Sequence, residues 1–418
     1  MKTVVLDDDP TGTQSASNVR VLLDWNADLL TDALRDADSV YVQTNSRAID
    51  QASAVARVTD IRNDALTAAA RLGEEVQFVL RGDSTLRGHV FAETDVFLAD
   101  DAVMVFVPAF PDGGRTTVGG MHWVNVAGKN TPAHQTEYAD DPVFGFTTGH
   151  LEMYTREKSG KRPVSVPLQT VRSDPGALAK AIATAPGGAV VVPDAETNTD
   201  IRTIAAAVGD ARAQGRPVVV RCAAPLAAAL ANVESDRLLP RPLVPTPMPT
   251  LLVCGSHTTG ATAQLSRVTD AWGPAAVIDT EAAMRSPHQA GHHAAATAVT
   301  QLRECSLAIV SSERTRRGED NTLAHGERVM SALTIAVREL LPHVEVVIAK
   351  GGITSADVAR IGLGATSARV LGQVAPGVSV WRLIALDDRE LTYIVVPGNV
   401  GGPDTLIDVL TSLGLAHS

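Results

Sequence analysis

At 418 residues the chain is too long for one ordinary hydrophobic core, so two or three domains are expected. Its 45% hydrophobic and 20% charged content excludes a disordered chain and fits a soluble globular one. A net charge of −11, without a basic run and with few aromatic rings, argues against a nucleic-acid surface, although a few converging arginines could still take a small anion.

The first predicted strand runs into "VVLDDDPTGTQ", residues 4–14, where Asp7, Asp8 and Asp9 follow an apolar run. Unpaired, three adjacent carboxylates would repel one another, so a cation or a hydroxyl-bearing ligand is expected to meet them. The same design recurs at "SVYVQTNSRAID", "VQFVLRGDSTLRGH", "AVMVFVPAFPDGGRT" and "GAVVVPDAETNTDI": a short Val/Ile/Leu run, a polar turn, then an Ala-rich helical stretch. Continuous apolar strands alternating with helices predict mainly parallel sheets flanked by helices, an α/β fold. Ligands of such sheets bind beyond the carboxyl ends of the strands, where these turns collect. Residues 130–170 carry no clear pattern.

The proline-rich stretch "LLPRPLVPTPMPT", residues 238–250, reads as an extended segment crossing between domains, although an ordinary surface loop has the same composition. The expected division is 1–245 and 246–418. Alternation then restarts with "TLLVCGSHTTGATAQL", "SLAIVSSERT", "VEVVIAKGGITSADVARIGL" and "TYIVVPGNVGGPDTLIDVL". Cys222, Cys254 and Cys305 are isolated and suggest buried thiols in a reducing compartment. The N-terminus runs straight into a strand without a leader pattern, and no apolar run has membrane-span length. The expected location is the cytoplasm, with no membrane or nucleic-acid partner.

Two groups of turns carry chemistry. "CGS", "KGGITS" and "PGNVGG" each join a strand to a helix through glycine, which lets backbone N–H groups approach an anion such as a phosphate. Glycine also serves αβ turns for conformational reasons alone; three such turns in one domain favour a nucleotide polyphosphate. Neither G-x-x-x-x-G-K-[ST] nor a complete G-x-G-x-x-G is present, which excludes a P-loop and disfavours a Rossmann dehydrogenase. In the first half, "RGDSTLRGH" gathers Arg81, Asp83, Ser84 and Arg87, with Arg47 and Arg115 after neighbouring strands. Arginine forks suit a carboxylate, and Asp83 and Ser84 suit hydroxyls, so the set fits a polyhydroxy acid. A capped helix start with solvated arginines would show the same residues. No histidine stands at metal-ligand spacing from Cys or acids.

"VVLDDDPT" also fits apolar strand, Asp-x-Asp-x-Thr, and so resembles the nucleophile loop of haloacid-dehalogenase-type phosphatases. That likeness implies Asp7 as nucleophile and Asp9 as acid/base, with residues 310–312, Lys350 and Asp387–Asp388 as further parts. It leaves "RGDSTLRGH" and "PGNVGG" unexplained. A sugar-acid sensor that binds nucleotide without turnover is a third reading.

Taken in order, "DDDPTGTQ", "TNSRA", "RGDSTLRGH", "PAFPDGGRTT", "HQTEYADDP", "VVPDAETNTDI", "CGSHT", "KGGITSADV" and "PGNVGG" resemble the four-carbon acid sugar kinase family over nearly the whole chain. The resemblance implies two α/β domains, the first binding a sugar acid and the second ATP, with phosphoryl transfer across an interdomain active-site cleft. ATP and Mg²⁺ are the implied cofactors, a threonate-, erythronate- or 3-oxo-tetronate-like acid the implied substrate, and a homodimer a possible assembly. By motif, Asp8 and Asp9 match the catalytic pair, and Arg47, Arg81, Asp83 and Ser84 match substrate contacts. Ser256, Gly351, Gly352, Ile353, Thr354, Gly398, Asn399 and Gly401 match nucleotide contacts. On this reading Arg81, Arg47 and Arg87 or Arg115 clamp the carboxylate while Asp8 or Asp9 accepts the hydroxyl proton.

Overall fold

The computed structural model describes residues 1–126, 128–235, 237–315 and 323–415. The chain forms two compact units whose boundary falls inside the triple aspartate. Met1–Asp8 and Trp25–Glu234 make the first; Asp9–Asp24 and Ser235–Ser418 make the second.

In the first unit the short β-branched runs become parallel strands in the order Ser39–Gln43, Lys2–Asp7, Val76–Arg81, Val218–Cys222, Val103–Val107, Val190–Pro193 and Pro163–Val166. Strands this uniformly apolar need helices on both faces. The first long helix, Gln51–Leu72, starts where the Asp50 carboxylate accepts from Ser53 N–H and stops at Gly73, whose left-handed φ of +67° ends the helix. Residues 115–132, partly within the stretch without a sequence pattern, form a three-stranded antiparallel sheet: Arg115–Val118, Met121–Val126 and Lys129–Pro132. Its first hairpin turns on Gly119 and Gly120, both at positive φ, and their amides donate to the Asp194 carboxylate. Phe91, Phe106, Phe146 and Tyr154 fill the core beneath it.

In the second unit Ala276–Ile278, Leu307–Ser312, Thr250–Cys254, Val346–Lys350 and Glu390–Val396 are parallel neighbours in that order. Three antiparallel strands, Val378–Ile384, Ser367–Ala375 and Arg20–Leu22, extend the sheet. The Pro376-Gly377 turn, with Gly377 at φ +76°, reverses the chain between two of them.

Two features depart from the expected division at residue 246. Residues 9–24 belong with the second unit, because Arg20–Leu22 pairs with Ser367–Ala375 and the Trp381 indole donates to the Thr13 hydroxyl at 2.9 Å. The proline-rich segment is also part of that unit rather than a free crossing. Its Leu239 and Leu243 amides donate to Gln373 and Ser412 carbonyls, and Val244 enters the hydrophobic core. Proline removes amides that would need partners, so a strap of this kind can lie along a finished core. Among the described residues no helix is long and apolar enough to cross a membrane.

Candidate functional site

In the first unit five strand ends stand in one row: Gln43, Asp7, Arg81, Cys222 and Val107 are successive register partners. Asp7 is fully buried; its Oδ2 accepts from Gln43 Nε2 at 2.9 Å and its Oδ1 from Arg81 Nη1 at 3.2 Å. Burial disfavours its ionised form and, with Asp8 alongside, outweighs Arg81, raising the carboxyl to about 7. Sealed between its two sheet neighbours, Asp7 is badly placed for the nucleophile that the phosphatase likeness requires.

Asp8 faces three guanidinium groups. Its Oδ1 lies 3.2 Å from the same Arg81 Nη1, and its Oδ2 lies 3.4 Å from Arg47 Nε and 3.5 Å from Arg221 Nη2. Arg47 also reaches Asp83 at 3.7 Å, and Asp83 accepts from Arg87 Nε at 2.8 Å and from the Thr85 hydroxyl. Burial alone would raise the Asp83 carboxyl, but Arg87 and Arg47 hold it well below the usual carboxylate range. The Tyr138 ring covers Arg87 at 5.0 Å, with Asp141 3.8 Å away.

The four predicted arginines therefore divide. Arg81 has a side chain only 2% exposed and is spent on Asp7 and Asp8; Arg115 is buried, its guanidinium donating to Gly113 O and bonded to Tyr138. Burial pulls Arg115 below the ordinary arginine value. Arg47 and Arg87, at 12% and 19%, keep an edge toward solvent. Ser84 is buried, and its carbonyl oxygen lies 2.8 Å from His122 Nε2. Burial lowers His122 to about 4, so the ring is neutral near pH 7; Nε2–H must donate to that carbonyl, leaving Nδ1 to accept from the Thr117 hydroxyl at 3.0 Å. This histidine is a strut of the loop.

Sequence reading missed Arg221, Glu93, Gln43 and Tyr138. Gln43 and Tyr138 lay in the stretches "SVYVQTNSRAID" and "HQTEYADDP" without a role assigned to them. Arg221 is the penultimate residue of the strand Val218–Cys222, whose "VVVRC" has the same apolar-run-then-polar signature as the strands singled out.

The second unit has its own row. Ser311, Cys254, Lys350 and Val396 are register partners at the ends of adjacent strands, and the three glycine turns leave from the last three. These turns are packed so closely that side chains are excluded. A Cβ on Gly351, itself at φ +116°, would lie 2.9 Å from Ser256 Cβ, and one on Gly398 would lie 2.5 Å from Ser256 Oγ. A Cβ on Gly255 would run into Thr354 Oγ1. The Thr258 hydroxyl donates to Gly398 O at 2.6 Å, and Ser355 Oγ to Gly351 O at 2.7 Å. Arg314 donates to Ser256 O and reaches the Thr262 hydroxyl. Ser256, Gly351, Thr354 and Gly398 thus converge, with Gly352 beside them. Asn399 is half-buried and the Ile353 side chain is exposed. Gly401, at φ +86°, packs on Thr405 instead.

Lys350 lies beneath this cluster, wholly buried, with Nζ donating to Pro397 O at 2.7 Å; burial lowers it to about 7. Asp9, grouped with Asp8 in the sequence reading, serves as the N-cap of the turn Pro10–Ser15, accepting from both the amide and the hydroxyl of Thr11. The successive Asp7, Asp8 and Asp9 have carboxylate oxygens within 4.8 Å of one another, among the described residues the one acidic grouping able to hold a metal.

Comparison with known proteins also divides the chain in two, with residues 9–24 falling inside the first match. A sugar-binding N-terminal domain matches residues 3–230, and a nucleotide-binding C-terminal domain matches residues 251–406. A D-threonate kinase of Salmonella typhimurium is 26% identical over 98% of both chains. A D-erythronate kinase of Heliobacterium modesticaldum is 33% identical over 56% of this chain and 51% of its own. The fold is that of a Salmonella typhimurium crystal structure described as a putative tRNA synthase, with TM-score 0.69 and 18% identity over 97% of this chain and 98% of that one. With both domain models matched in order along one chain, the protein belongs to the four-carbon acid sugar kinase family.

Proposed function

We propose that this sugar-acid kinase transfers the γ-phosphoryl group of ATP to a hydroxyl of a four-carbon acid such as threonate, erythronate or 3-oxo-tetronate. The observation that carries this is the chemistry of the two rows of strand ends. One presents arginine forks around buried carboxylates, and the other presents close-packed backbone stripped of side chains. The first suits an organic acid with hydroxyls; the second suits phosphates bound through backbone amides. The likeness to a D-threonate kinase along nearly the whole chain supports the substrate class.

In this reading Arg47 and Arg87, the two arginines with an open edge, grip the acid's carboxylate, and Asp83 holds both forks in place. Ser84 remains within that loop as a hydroxyl contact. Arg81 and Arg115 act from behind, Arg81 fixing Asp8 and Arg115 fixing Tyr138. Asp8 is the carboxylate that orients the acceptor hydroxyl and takes its proton. Phosphoryl transfer asks little more of the protein than in-line placement and charge neutralisation, so a carboxylate held in place by arginines is sufficient. The turns at Ser256, Gly351–Thr354 and Gly398–Asn399 receive the triphosphate.

Mg²⁺ takes oxygen ligands and keeps company with phosphates, and the three aspartates supply suitable donors. Asp9, which caps the Pro10–Ser15 turn, belongs to the same unit as the glycine turns and is the residue that would hold the ion together with the nucleotide. Bound there, the ion would neutralise phosphate charge.

The test is ADP release from ATP with a panel of threonate, erythronate and 3-oxo-tetronate stereoisomers. One member should support turnover well above the rest. Phosphate release from a phosphomonoester without nucleotide would favour the phosphatase reading. Binding of both ligands without product would favour a sensor.

A further inference from the structure

We propose that Arg221 is a positioning residue for the phosphoryl-transfer step, holding the Asp8 carboxylate in the orientation that meets the acceptor hydroxyl. The inference rests on the reading of Asp8 given above and adds a residue that the motifs do not contain.

Arg221 is the penultimate residue of the strand Val218–Cys222, with its side chain 2% exposed. A guanidinium enclosed at the end of a sheet strand loses its hydration and needs a compensating partner. Glu93, on the helix Val90–Asp95 and equally buried, supplies it: Arg221 Nη1 donates to Glu93 Oε2. That pair is already neutral. The second reach of the fork, Nη2 toward Asp8 Oδ2 at 3.5 Å, is therefore not needed to balance Arg221. Nor does Asp8 need it for charge, since Arg81 and Arg47 already face it. What the third guanidinium adds is direction: with Arg47 it brackets Oδ2, while Arg81 meets Oδ1, so the carboxylate plane cannot turn freely.

The backbone makes room for this contact twice, with the two glycines of "RGDSTLRGH". Gly82 donates its amide to Cys222 O at 2.8 Å, and a Cβ there would stand 2.6 Å from both Nε and Nη2 of Arg221. Gly88, at φ +115°, would place a Cβ 3.3 Å from Asp8 Oδ2 and 3.5 Å from Arg221 Nη2. Both glycines border the same Arg221–Asp8 approach. A merely structural Arg221–Glu93 pair would explain neither the second reach nor the clearance at Gly88. Arg221 Nε and Nη2, Glu93 Oε1 and Asp8 Oδ2 have no hydrogen-bond partner among the described residues, so the reach from Nη2 to Asp8 is an ion-pair approach at 3.5 Å that a bound acceptor hydroxyl can draw closer.

The experiment is a double-mutant cycle on the full-length enzyme, using Arg221→Lys, Asp8→Asn and the double variant, with ADP release as readout. Arg221→Lys keeps the charge beside Glu93 and loses the planar fork. It should fold with a melting temperature close to wild type, lose 10- to 100-fold in kcat, and keep the KM for ATP within twofold. In the Asp8→Asn background the same substitution should change kcat less than twofold. Arg221→Ala supplies an independent measurement: millimolar guanidinium should restore part of its kcat, as an ion filling the vacated site would. Wild-type kcat in Arg221→Lys, an equal loss with and without Asp8, or no guanidinium response from folded Arg221→Ala would overturn the proposal. Wild-type turnover in Asp8→Asn alone would instead overturn the reading of Asp8 on which it rests.

Discussion

In the first unit the loops at the strand ends are held by charge: Arg81 spans Asp7 and Asp8, Arg47 spans Asp8 and Asp83, and Arg87 closes on Asp83. In the second unit the loops at equivalent strand ends are held by exclusion, with Gly255, Gly351 and Gly398 letting Thr354 and Ser256 approach the backbone. Both arrangements stand at the carboxyl ends of parallel strands, yet their chemistry suits different ligands. Side-chain forks point in chosen directions and can tell one hydroxy acid from another. Bare backbone cannot discriminate so finely, but it lets amides surround a phosphate of any parent molecule.

The sharpest way to break this contrast is Asp8→Asn. On the proposed role of Asp8 as proton acceptor, kcat should fall by roughly 10²- to 10⁴-fold, the span of general-base contributions, while the nucleotide KM stays within twofold. Steady-state kinetics with both substrates varied would decide it, and unchanged turnover would remove Asp8 from the chemistry. Next in size is Arg87→Gln, which deletes a charged donor with an open edge. A hydrogen bond to a charged group is worth about 1.5–3 kcal/mol, so the KM for the acid should rise by about 10- to 100-fold with the nucleotide KM unmoved. An effect on both substrates alike would show that the arginine supports the fold rather than the acid.

Gly351→Ala probes the other unit. A Cβ at φ +116° carries backbone strain of about 1–3 kcal/mol and meets Ser256, so the nucleotide KM should increase roughly tenfold while the acid KM holds. Gly73→Ala is the control: its φ is also positive, but nothing lies within 4 Å of the added atom, so only stability should drop. If the two variants behave alike in kinetics, the packing of the glycine turns has no bearing on nucleotide.

Lys350 tests the interior of that unit by pH. Burial lowers it from 10.5 to about 7, against the opposing influence of Cys254. Between about pH 7 and 10.5 the unfolded chain then binds a proton that the folded chain has released. Stability contributed by this group rises with pH across that window, by up to about 1.4 kcal/mol per unit, and the full penalty applies below pH 7. Lys350→Met should abolish that slope in denaturant titrations between pH 7 and 9; an identical slope in both proteins would refute the assignment. The smallest effect is expected from Thr13→Val. The Trp381 indole would lose its acceptor, costing about 1–3 kcal/mol of stability with both KM values unchanged.

The alternation of β-branched runs with Ala-rich helices made the parallel α/β core legible, because strands buried on both faces must be apolar throughout. Turn composition was equally readable: glycine where backbone must approach, arginine and aspartate where an acid is expected. The antiparallel strands around Pro376-Gly377 and Gly119-Gly120 were signalled by their turns, but their mixed faces carry too weak a period beside the stronger parallel runs.

What the sequence by itself determined is the order of elements and the residue types at each strand end. Which arginine is sealed and which stays open was decided only by the tertiary structure. Arg81 and Arg47 look alike in the chain, but register sets Arg81 beside Asp7, while Arg47 stands in a short turn over Asp83. Likewise Arg221 and Glu93, 128 residues apart, meet because the Val218–Cys222 strand inserts next to Val76–Arg81. Burial and long-range pairing set the charge and reach of an ionisable group, and neither is a property of its neighbours in sequence.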